Sequence, residues 1–69
     1  MTEQQARKVL YLQNGDMADV DRLKEVMENE QILLRHTLSV TEIESCQLVI
    51  KACETLIDLY SEKENGDVF

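Results

Sequence analysis

Ile43, Cys46, Ile50, Cys53, Ile57 and Tyr60 recur at alternating spacings of three and four. This is the rhythm of a helix that packs lengthwise along another helix. A second apolar row, Val49, Ala52, Leu56 and Leu59, runs beside the first. Together the two rows take up about half of the helix circumference, wider than the ~100° stripe that a single neighbour covers. A helix over this stretch is therefore expected to be buried against two partners.

The rest of the chain reads as helix as well. Thr2 followed by Gln5 is a capping-box start, in which each side chain satisfies the other's free backbone N–H. It predicts a first helix from about Glu3 to Gln13, stopped by Asn14-Gly15. Asp16 or Asp19 is placed to cap a second helix running to about Thr37. Ser39 or Thr41 caps a third, with Thr41 and Glu44 forming another capping box, and that helix ends near Lys63. The chain has no proline, and its two glycines both follow asparagine, a pair that ends helices as readily as it turns hairpins. Connections this short imply neighbouring antiparallel helices. The expected fold is all-α: a short N-terminal helix and a long antiparallel hairpin forming one domain over residues 1–63, with 64–69 a frayed tail.

The faces divide as follows. The first helix buries Ala6, Val9, Leu10 and Leu12, leaving Arg7, Lys8 and Tyr11 outside. The second buries Val20, Leu23, Val26, Met27, Leu33, Leu34 and Leu38, with Glu30 inside the stripe. Glu30 reads as a rim residue whose stem lies on apolar surface while its head reaches water; the sharper alternative is a polar residue that sets pairing register. Arg7 and Lys8 are expected to pair with acids of the second helix or of another subunit. A first helix half the length of its neighbours cannot cover the whole second face of the third. Some of Val49, Leu56, Leu59 and Tyr60 should then stay open, and a homodimeric helical bundle is expected to close over them.

Charge narrows the partners. Fourteen Asp and Glu against seven Lys and Arg leave a net charge of −7 over 69 residues. Such a surface repels nucleic acid and anionic membranes, so neither is expected as a direct partner, whereas a basic protein surface is attracted. Asp21, Glu25 and Glu28 form a row on the outer face of the second helix that continues into Ile32. Glu54 and Asp58 lie on the polar face of the third. Solubility is the ordinary reading of such rows. An Ile at the end of an acidic row is also what a contact point on a basic partner looks like. No apolar run approaches the ~18 residues of a spanning helix, and the start has no secretory pattern. Cys46 and Cys53 are roughly 10 Å apart along one helix and cannot bond to each other. They read as buried thiols of a cytoplasmic protein.

Catalytic chemistry has no anchor. His36 is the only histidine, and acid–base or metal roles need partners at defined spacing. A calcium loop begun at Asp19 fails, because Lys24 falls where the sharp turn needs glycine. There is no phosphate-cradling glycine loop and no nucleophile beside a base. No cofactor or metal is expected. Leu56-Ile57-Asp58-Leu59-Tyr60 is similar to the end of the small helical-hairpin phosphatases that act on sporulation response regulators. That family's Ser-Gln-Glu-Leu-Asp motif is absent: the matching stretch reads Ile50-Lys51-Ala52-Cys53-Glu54, where only Glu54 stands in for the acidic residue. The likeness carries no function over.

What remains is a small acidic regulatory or adaptor protein that binds another protein without catalysis. Val49, Cys53, Leu56, Ile57, Leu59 and Tyr60 are its expected partner or oligomer seam. Asp21, Glu25, Glu28, Ile32, Glu54 and Asp58 are its expected acidic surface. An alternative is an inhibitor of the antirepressor or virus-encoded type, whose acids mimic nucleic acid in the cleft of a basic DNA- or RNA-binding protein. A second alternative is a structural subunit of a larger assembly.

Overall fold

The computed structural model describes residues 1–13 and 18–66, with side chains through residue 61. It is all-helical: α1 (Glu3–Val9), α2 (Val20–His36) and α3 (Val40–Gly66), with no strand among the described residues. Both α1 and α2 pack on α3. The molecule measures 45 × 22 × 17 Å. The long axis is accounted for by α3, whose 27 residues rise about 40 Å.

Each start has a local cause. At α1, the Gln5 N–H donates to Thr2 Oγ1 at 3.2 Å and the Thr2 N–H to Gln5 Oε1 at 3.0 Å, a complete capping box. At α2, Asp19 Oδ1 accepts from the Asp21 N–H at 3.1 Å, and its carboxylate lies at the positive end of the helix. At α3, the cap is Ser39 and not Thr41: its carbonyl accepts from the Ile43 N–H at 2.9 Å and its hydroxyl from the Glu42 N–H at 3.5 Å. The Thr41–Glu44 box is not needed, because Thr41 already lies inside the helix. α3 runs three residues past Lys63, to Gly66.

Helix α1 ends four residues earlier than Gln13. Leu10 is its C-cap, and Tyr11 adopts φ 59°, the left-handed region that a side chain with a Cβ normally avoids. The Tyr11 N–H donates to the Lys8 carbonyl at 3.1 Å and the Leu12 N–H to the Arg7 carbonyl at 2.8 Å. These two bonds are a Schellman closure, in which the residue after the cap turns left-handed and two orphan carbonyls are satisfied. The reversal lays Leu12 against the core cluster that includes Ala6, the apolar contact that commonly accompanies this motif. Asn14-Gly15, the expected stop, lies outside the described residues.

The core sits where all three helices meet. Ala6, Leu23, Ala52, Cys53 and Leu56 form its buried centre, and Val9, Leu10, Leu12, Val26, Met27, Val49, Ile57 and Tyr60 pack around it. Ala6 and Ala52 are both fully buried, and their single methyl groups let α1 lie close on α3. Leu56 is fully buried too; of the four residues among which some were expected to stay open, Val49, Leu59 and Tyr60 are half-buried. Leu33 and Leu38, expected inside, are corrected: they are 47% and 97% exposed. The reason is length. Seven residues of α1 rise only about 10 Å and cover one end of α3. At the other end α2 and α3 have only each other.

Candidate interaction surface

The end of α2, the three residues Thr37 to Ser39 and the start of α3 form a tightly pinned connection. Thr37 donates its N–H to the Leu33 carbonyl at 3.0 Å. Its hydroxyl accepts from the Ser39 N–H at 3.3 Å and donates to the Glu42 carboxylate. Between the hydrogen-bonded Thr37 and Ser39, Leu38 stands out: it is 97% exposed, and Val40 after it is 69% exposed. Ile32 and Leu33, in the last turns of α2, are each about half exposed, as is Leu48 on α3. Several large aliphatic side chains thus stand in solvent around one connection. Such patches on small proteins are frequently contact sites.

Polar groups frame this end asymmetrically. Residues 31–41 contain no acid, although the chain has 14. Arg35 and His36 occupy the last turn of α2, where cations suit the negative end of the helix. Glu42 lies in the first turn of α3, where an acid suits the positive end, and Glu44 follows just beyond. Arg35, His36 and Glu44 are exposed, and among the described residues neither Arg35 nor Glu44 makes an ion pair.

The expected seam residues take different places. Cys53 and Leu56 are fully buried within the chain; Val49, Ile57, Leu59 and Tyr60 are half-buried. Tyr60 has a structural task that its place on the seam did not reveal. Its hydroxyl accepts from Arg7 Nη1 at 3.1 Å and donates to Glu3 Oε1 at 3.1 Å, while Arg7 Nη2 donates to the Gln13 carbonyl at 2.8 Å. Arg7 thus ties α1 to α3 and to the chain beyond α1. The only hint in the sequence was the four-residue spacing of Glu3 and Arg7, which puts both on one helical face.

The acidic candidates are all on the outside. Asp21, Glu25, Glu28, Glu54 and Asp58 are exposed, and Ile32 is half exposed beside them. Glu25 pairs with Arg22 at 3.8 Å, both well solvated, an arrangement worth little to stability. Glu30 is half-buried and meets α3 at Cys46. Burial, followed by a hydrogen-bonding contact with the Glu30 carboxylate and its charge, pushes the Cys46 thiol up from its ordinary range. Burial, with the charges of Glu30 and Glu54, does the same to Cys53. Both are free cysteines, and thiols held protonated in this way are poor nucleophiles.

The hollows on the surface are open. One of about 580 Å³ is lined by Met1, Gln5, Lys8, Val9 and Lys51. A smaller one of about 300 Å³, between Leu10, Leu12, Ala18, Leu23 and Val26, has Asp19 and Arg22 at its edge. Among the described residues no group of three or more His, Cys, Asp or Glu is gathered to hold a metal ion, and no helix is long and apolar enough to cross a membrane. No family model, curated protein or solved structure matches the chain.

Proposed function

We propose that this is a small acidic regulatory or adaptor protein of the cytoplasm that acts by binding proteins rather than by catalysis. In this reading α2 and α3 form an antiparallel hairpin, and its closed end is a contact surface. The antiparallel arrangement is supported by two cross-helix meetings: Glu30 with Cys46, and Leu23 in one cluster with Cys53 and Leu56. The observation that carries the functional reading is Leu38, a leucine at 97% exposure on a connection whose flanking threonine and serine are both fastened by hydrogen bonds. A rigid support under an exposed aliphatic side chain suits a contact anchor, because little ordering is left to pay for on binding.

The second reading, an acidic mimic of nucleic acid, is favoured by the solvated row Asp21, Glu25 and Glu28 on the outside of α2. The two separate in a capture experiment on nuclease-treated lysate of the source cell, eluted in salt steps. The adaptor reading expects a partner that persists through high salt, is lost with Leu38→Asp, and tolerates reversal of Asp21, Glu25 and Glu28 to Lys. Capture of a DNA- or RNA-binding protein that elutes at low salt and is lost on charge reversal puts the mimic first.

A further inference from the structure

We infer that the surface around Leu38 and Val40 is covered by a second copy of this chain, the two hairpins meeting closed end to closed end about a two-fold axis. The inference rests on the reading of that end as a contact surface and names what fills it. It places the subunit contact at the opposite end of the long helices from Leu56, Ile57 and Tyr60.

Four observations favour a second copy over a foreign segment. The charge is self-complementary: exposed Arg35, which has no ion pair among the described residues, and exposed His36 end α2, while exposed Glu44 lies near the start of α3. A two-fold axis through the connection brings the basic edge of each copy to the acidic edge of the other, as an isologous contact requires. Next, the stretch at the centre of this end carries no acid. With none between residues 31 and 41, this is an end where two chains of net charge −7 can approach with little local repulsion.

The composition is also that of an interface. Leu38 and Val40 are 97% and 69% exposed and Ile32 and Leu33 about half exposed, an apolar centre of the kind protein contacts bury. Arg35, His36, Thr41 and Glu44 are exposed around them and form the polar rim that such interfaces have. Last, the need is greatest here: a chain of 69 residues is marginal alone, and its core lies at the far end of the molecule, where α1 is.

Leu38 is so exposed that replacing it leaves the fold of one chain undisturbed, which makes the test clean. Sedimentation equilibrium over a concentration series is expected to show a reversible dimer for the wild type. Leu38→Asp raises the dissociation constant at least ~30-fold, as loss of a central anchor does, with an unchanged helical circular dichroism spectrum. Arg35→Glu weakens the dimer several-fold, and adding Glu44→Arg in the same chain restores it. A wild type that is monomeric into the high-micromolar range overturns the inference, as does a dimer indifferent to Leu38→Asp. If such a monomer still captures a foreign protein through Leu38, only the second-copy inference fails and the adaptor reading stands. If the dimer forms through Leu38 and no foreign partner is captured, the inference stands and the adaptor reading falls.

Discussion

Tyr11 shows what one residue contributes to the boundary of an element. Its left-handed backbone closes α1, and its side chain is 92% exposed, so the conformation is held by the Arg7 and Lys8 carbonyls and the packing of Leu12 rather than by tyrosine chemistry. Glycine takes this conformation without the cost of about 1 kcal/mol that a side chain incurs. Tyr11→Gly is expected to raise stability by about 0.5 kcal/mol in urea titration, the gain being reduced by the extra freedom of glycine in the unfolded chain. Valine in its place, with its branched Cβ, is expected to lower it. The buried thiols give a pH dependence at the same scale. Both have values above the ordinary 9.0 in the folded protein, so below pH 9 they are protonated in both states and stability is intact. Above it the unfolded chain ionises first, and stability falls as pH rises towards the folded values. Urea midpoints measured between pH 7.5 and 10.5 should drop, and drop less when Cys46 and Cys53 are both alanine.

Among the elements, α1 is the one that depends most on others. Seven residues do not make a stable helix in water. It persists because Ala6 is buried in the Ala52, Cys53 and Leu56 cluster and because Arg7 and Glu3 both hold the Tyr60 hydroxyl. Ala6→Leu adds three carbons where no space exists, and overpacking of this kind costs about 1–3 kcal/mol. Amide hydrogen exchange is expected to show α1 losing protection while the middle of α2 keeps it. Uniform loss along the chain would instead mean that α1 is integral to a single cooperative unit. The capping signal for α1 was legible because it is local, consisting of a polar side chain and a backbone N–H three residues away. For α2 and α3 the same signal was ambiguous, since Asp16 and Asp19 both offered a carboxylate and Ser39 and Thr41 both a hydroxyl, and only the structure selected Asp19 and Ser39. The early end of α1 had no sequence signal, because Tyr11 stands where glycine or asparagine would have announced it.

At the scale of the whole molecule, charge and shape act together. A net charge of −7 on 69 residues in a body 45 Å long opposes compaction through self-repulsion. Added salt screens it, with a Debye length of about 8 Å at physiological ionic strength and about 3 Å at 1 M. The thermal midpoint is therefore expected to rise by several degrees between low and high sodium chloride. The second-copy contact should also tighten, since it brings two chains of like net charge together; a dimer that weakened with salt would show that the Arg35 and Glu44 pairing outweighs the overall repulsion.

The sequence by itself determined that the chain is helical, where α1 begins, and which stripe of α3 faces inward, because these follow from periodicity and from capping groups a few residues apart. It also determined that Ala6, Leu23, Cys46 and Cys53 belong inside. The tertiary structure alone decided which apolar residues remain outside. Leu56 and Leu38 look alike in a hydrophobic pattern, but one lies under α1 and the other beyond its reach. What separates them is the length of a helix set by a left-handed turn at Tyr11, and the distance along α3 that this short helix can cover.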